Sequence, residues 1–123
     1  AFLDPVFSSG VYLALTTGSL GADAVEKALA DGDTGSQQFS DYGERVCQGI
    51  EWMRKLVYAF YDEDFSFKDV VTKYAEVRRD LTDCLIGDLI DKDYTELFDR
   101  VSEFAELPNE LPHGKVARSG ALA

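Results

Sequence analysis

The apolar residues between positions 39 and 60 most constrain what this chain can become. Phe39, Tyr42, Val46, Ile50, Met53, Val57 and Phe60 recur at intervals of three and four. That spacing returns each side chain to one side of a 3.6-residue spiral, so the segment reads as a helix over about residues 36 to 61. A strand would alternate at every second residue, and this segment does not. Its last turns, WMRKLVYAFYD, are apolar nearly all round. A helix without a polar face must lie between other elements, so the rest of the chain has to supply partners for it.

Those partners are also helical in pattern. Before it, VYLALTTGSLGADAVEKALA places Leu13, Leu20, Ala24 and Leu29 among small residues, and the helix is expected to begin near Gly10 or Val11. Ser8 or Ser9 is its expected N-cap, since a hydroxyl accepts from the amides of the first turn. Gly18, Ser19, Gly21 and Ala22 leave little side chain on part of its surface. Glycine inside a helix costs roughly 1 kcal/mol relative to alanine, which close approach of another backbone or a ligand would offset. Gly32 and its neighbours end this helix.

After Asp62, Glu63 and Asp64 break the central pattern, Ser66 with Asp69 reads as the start of a third helix over about residues 67 to 90. Val70, Val71, Tyr74, Val77, Leu81, Leu85 and Ile86 are its expected buried face, and Arg78, Arg79, Asp80 and Asp83 its solvated one. A fourth helix, about residues 94 to 107, would bury Leu97, Phe98, Val101 and Phe104 and stop at Pro108. The expected fold class is all-α, with about four helices. Residues 108 to 123 lack periodicity and read as a disordered tail or one draped over a partner.

Composition narrows the functional classes. The chain has 123 residues and is 46% hydrophobic, enough for one packed domain. Its net charge of -11 argues against binding a nucleic-acid backbone. No run approaches the length of a membrane span. Cys47 and Cys84 are far apart in predicted helices, which suggests reduced thiols and a cytoplasmic setting. His113 is the one histidine and stands in the Pro/Gly-rich tail, so no histidine-based metal site or catalytic triad is expected. Asp62 to Asp64, and Asp88 with Asp91, could offer oxygens to a hard cation, but without the ligand spacing of a calcium loop. Trp52, Tyr58, Phe60, Tyr61, Phe65 and Phe67 read as core before they read as a pocket.

What remains is the opening stretch, AFLDPVFSSGVYLAL. An apolar run turns at Asp4 and Pro5, passes Ser8, Ser9 and Gly10, and enters a helix. The first amides of a helix have no intrahelical acceptor and point outward, a seat for an anion or for the electron-rich edge of a cofactor. The first residue already lies inside the pattern, with no initiator methionine. The chain is therefore expected to be a C-terminal piece of a longer protein.

FLDPVFSSGVYLAL resembles the second FAD-binding signature of flavin-dependent halogenases and their group A monooxygenase relatives. VYAFYDEDF (57 to 65) and LTDCLIGDL (81 to 89) resemble recurring segments of the helical C-terminal region of the halogenases. The resemblance implies that the chain is the helical C-terminal lobe of a larger FAD-binding α/β flavoprotein. Residues 1 to 30 would be the flavin- and halide-facing loop and first helix, and residues 31 to 107 a lobe over the substrate side. Backbone amides of Ser9 and Gly10 would bind chloride or bromide, while Asp4, Pro5, Ser8 and Val11 would shape the flavin side. The implied chemistry is halide oxidation by a flavin hydroperoxide formed from reduced FAD. The implied partners are an N-terminal FAD-binding domain of the same protein, a flavin reductase as the source of reduced FAD, and a small aromatic substrate.

Departures from the family pattern refine this. Tryptophan-specific members carry an acidic residue where this chain has Phe7, so a phenol- or pyrrole-type substrate fits better. The GxGxxG fingerprint and the relay lysine are absent. None of Lys27, Lys55, Lys68, Lys73, Lys92 or Lys115 has a matching context, so no catalytic residue is expected in this chain, and alone it is expected to be inactive. Two alternatives stand beside this reading. One is an FAD-dependent hydroxylase or reductase that uses no halide. The other is a free-standing acidic helical module that binds another protein through the small-residue face of the first helix.

Overall fold

The computed structural model describes residues 9 to 113. Its elements are α1 (Ser9–Asp31), α2 (Ser40–Phe60), α3 (Phe67–Lys73), α4 (Arg78–Leu85) and α5 (Thr95–Val101). Single 3-10 turns at Ser36–Phe39 and Ala75–Val77 lead into α2 and α4. Among the described residues no strand forms, and the fold is all-α. No helix is long and apolar enough to cross a membrane among those residues.

The central helix forms as its periodicity demands, with Trp52, Met53, Leu56, Val57 and Ala59 buried. Its partners are the short helices that follow. Val70, Val77, Leu81, Cys84, Leu89, Tyr94, Leu97 and Val101 close around it in one core. Trp52 anchors that core, stacked on Phe98 with ring centres 5.6 Å apart and edge-on to Tyr94 at 6.1 Å. Its indole N–H donates to the Lys92 carbonyl at 3.1 Å. Phe65 and Phe67 pack against the same core, whereas Tyr58, Phe60 and Tyr61 reach the surface.

The expected third helix is two helices. Tyr74 leaves helical geometry, at φ -127 and ψ 77. Its ring lies edge-on to Phe104 and under the Arg100 guanidinium, 4.6 Å from the ring centre, and its hydroxyl donates to Glu103. These contacts outweigh the local helical preference, as tertiary packing commonly does. The restart changes the helical phase. Cys84 takes the buried position, and Leu85 and Ile86, expected inside, are exposed at 40% and 70%. The last helix is shorter than its pattern: it ends at Val101, well before Pro108, and irregular turns carry the chain on past Phe104.

Two helices close on left-handed glycines. In α1, Gly32 has φ 67, and the Asp33 and Gly32 amides donate back to Ala28 and Leu29. In α4, Gly87 has φ 90, and the Asp88 and Gly87 amides donate to Asp83 and Cys84. Both are paired-bond caps that need a residue free of a Cβ penalty. Gly87 also lies against the Tyr12 ring, which ties the end of α4 to the start of α1.

Helix α1 stands apart from the main core. Leu13 and Ala28 are its buried apolar residues, and neither belongs to the cluster around Trp52. It lies along the N-terminal half of α2, with Gly21 against the Tyr42 ring. The Tyr42 hydroxyl donates to the Thr17 carbonyl at 3.2 Å. Near the end of α1, Leu29 is 69% exposed, while Ala28 beside it is buried.

Candidate functional site

Asp4, Pro5 and Ser8 lie outside the described residues. Ser9 is the first residue of α1, and Gly10 the second. The first turn of α1 contains no acidic side chain, so no carboxylate of the helix itself opposes an anion at its first amides, which lack an intrahelical acceptor. Gly10 is half-buried and Val11 is 70% exposed. The two occupy different sides of the helix: Gly10 faces the seam with α2, and Val11 faces outward.

That seam is hollow. Gly10, Leu13, Ala14 and Thr17 of α1 and Tyr42, Val46 and Ile50 of α2 line a groove of about 210 Å³. Its walls are apolar apart from the Thr17 and Tyr42 hydroxyls, and both hydroxyls are engaged. Thr17 donates to the Leu13 carbonyl at 2.6 Å, and Tyr42 to the Thr17 carbonyl. Beyond Tyr42 the seam continues as a more polar hollow beside Asp23, Lys27, Asp41 and Arg45. One end of the seam therefore combines apolar walls with the N-terminus of a helix, a combination suited to a flat ring beside an anion. Tyr42, Val46 and Ile50 were legible as a helix face, but nothing in their spacing said that they would face Gly10.

The acidic candidates for a cation resolve into other roles. Asp91 receives both arms of Arg45, at 2.8 and 2.6 Å, and this guanidinium holds its carboxyl below the usual range. Asp88 pairs with Lys92 at 2.9 Å. Asp62 caps its own turn, accepting from the Asp64 amide at 3.0 Å. Among the described residues no group of three or more His, Cys, Asp or Glu side chains is arranged to hold a metal ion.

A second polar cluster lies on the far side of α2. Glu51 is buried at 3% exposure and accepts from Arg54 and His113. Burial pushes its carboxyl up, but the bonds from Arg54, His113 and the Leu111 amide outweigh this and hold it below the ordinary carboxylate range. Residues 108 to 113 cross α2 there. The Asn109 carbonyl accepts from Arg54, and Glu110 pairs with Lys55 at 3.2 Å. A hollow of about 340 Å³ opens beneath them, between Trp52, Lys55, Phe98 and Leu107. Periodicity alone could not reveal this cluster, because Glu51 sits on an apolar helix and its histidine partner is 62 residues away. Cys84 is packed into the main core, where burial pushes its thiol up to about 12 and keeps it from acting as a nucleophile.

The chain is similar to a chlorinase. A 1H-pyrrole-2-carbonyl peptidyl-carrier protein chlorinase of Pseudomonas fluorescens is 26% identical to it over 102 residues, which cover 83% of this chain. The chain spans 22% of the length of that chlorinase. No family model matches the chain, and no solved structure matches it.

Proposed function

We propose that this chain is the helical C-terminal part of an FAD-dependent, halogenase-like oxidoreductase acting on a pyrrole- or phenol-type aromatic substrate. The observation that carries the reading is the likeness to a pyrrole-carrier chlorinase over 83% of the chain. Two features of the fold support it. The first turn of α1 carries no carboxylate of its own and its amides lack an intrahelical acceptor, which suits a halide. Beside it, Gly10 borders an apolar groove large enough for a five- or six-membered ring.

In this reading the amides of Ser9 and Gly10 hold chloride or bromide, and the absence of a side chain at Gly10 lets halide and flavin approach. Asp4, Pro5, Ser8 and Val11 shape the flavin side. The partial positive charge at the N-terminus of α1 stabilises negative charge that develops next to it. FAD, held by an N-terminal domain of the same protein and reduced by a flavin reductase, supplies the dioxygen-activating chemistry. A lysine outside this chain would relay the electrophilic halogen to the substrate.

The test uses the full-length protein with FAD, a flavin reductase, and chloride or bromide. The substrate is a pyrrole-2-carbonyl group loaded on a peptidyl carrier protein, with a free phenol in parallel. Mass spectrometry should find a halogenated product. An oxygenated product without halogen would replace this reading with a hydroxylase, and a protein that binds no flavin would overturn it.

A further inference from the structure

Residues 108 to 113 are held to the fold by polar ties in place of packing. Apolar packing fades before them: Ala105 is buried and Leu107 rests against the core, whereas positions 109 to 113 are all exposed. Among the described residues, the last backbone-to-backbone bond before this strap runs from the Ala105 amide to the Val101 carbonyl. What holds the strap is one face of α2. Glu51, Arg54 and Lys55 stand at i, i+3 and i+4, which places them side by side on the helix. Their side chains are largely covered, at 4%, 12% and 16% exposure. The strap supplies a partner for each: the Asn109 carbonyl for Arg54, the Glu110 carboxylate for Lys55, and the His113 ring with the Leu111 amide for Glu51.

Two features show that this arrangement is poised rather than packed. His113 makes its tie from a left-handed backbone, at φ 42, a conformation unfavourable for any residue with a Cβ. Opening the strap would relax it. Beneath the strap the fold is not filled. The hollow of about 340 Å³ is lined by Trp52, Lys55 and Phe98 from the helices and by Pro108, Asn109 and Glu110 from the strap. Opening therefore exchanges three polar ties for water and gives up little packed apolar surface. Segments of that kind open at free energies below that of global unfolding.

We propose that residues 108 to 113 form a latch that opens as a unit, hinged at Leu107 and Pro108, and uncovers the hollow beside Trp52 while the helices stay folded. The Glu51, Arg54 and Lys55 face is its clasp, and the clasp sets access to the hollow. The latch does not depend on the flavin reading, and it operates with or without a halide chemistry in the parent protein.

Lysine acetylation of the full-length protein tests this. Closed, the strap holds the Lys55 amine 3.2 Å from Glu110 and 4.8 Å from the Trp52 ring centre. A short pulse of an acetylating N-hydroxysuccinimide ester, read site by site from peptide masses, compares Lys55 with the exposed Lys68. In the unsubstituted protein Lys55 should react at least roughly tenfold more slowly than Lys68. His113→Ala removes the far tie and alters neither Lys55 nor Glu110. It should speed Lys55 by roughly fivefold or more, with Lys68 and the helical circular dichroism unchanged. Equal rates at Lys55 and Lys68 in the unsubstituted protein would overturn the proposal by showing no closed strap. An unchanged Lys55 rate in His113→Ala would overturn it by showing that the strap does not move as a unit. Loss of helical signal in that variant would overturn it as well, since strap and core would then open together.

Discussion

Gly87 shows how much one residue can be asked to do. It caps α4 at φ 90, and a Cβ placed there would stand 3.2 Å from the Tyr12 ring. Alanine at this position meets two costs, the left-handed backbone and the ring. Gly87→Ala should lower unfolding free energy by about 2 kcal/mol. Gly43 offers the control. It lies inside α2 with nothing within 4 Å of its would-be Cβ, so Gly43→Ala should raise stability by roughly 0.5–1 kcal/mol. Urea unfolding of the two variants in the same protein checks both signs. The helix-ending role of Gly32 was legible in the sequence, because Asp31-Gly32 follows the last periodic turn directly. The role of Gly87 was not, since the expected helix ran through it to Ile90 and its ring neighbour is on α1.

At the scale of elements, what could be read was what is decided locally. Helix α2 carries its own apolar period and formed where that period runs. The break at Tyr74 has its cause in Glu103 and Phe104, about thirty residues on, and no local window contains them. The strap of residues 108 to 113 is a similar case. Its anchors, Arg54 to Asn109, Lys55 to Glu110 and His113 to Glu51, all join distant positions. Glu51→Ala would leave Arg54 and His113 without their buried carboxylate and should cost about 2–3 kcal/mol. The folded chain holds Glu51 ionised to lower pH than the unfolded chain does. Its contribution is therefore fully present above about pH 4.5 and is lost as pH falls through the lower folded value. Stability measured from pH 7 down to pH 3 should show this acid loss in the parent sequence and a smaller one in Glu51→Ala.

On the scale of the whole molecule, the chain is two packing systems that share α2. One is the closed core around Trp52; the other is the looser seam where α1 lies on Tyr42, Val46 and Ile50. The all-α class followed from periodicity, and the structure agrees with it. The site was legible only in part. Its amides announce themselves through Ser-Ser-Gly before an apolar helix, while its groove depends on which face of α2 meets α1. Gly10 is where the two meet, a helix-start amide bordering an apolar hollow. The most direct test of the account is the rate of halogenated product formed by full-length Gly10→Val, with bound FAD measured in parallel by absorbance. A loss of at least roughly a hundredfold with FAD still bound is expected, because a side chain there would obstruct the proposed halide seat. Halogenation at the unsubstituted rate would contradict it.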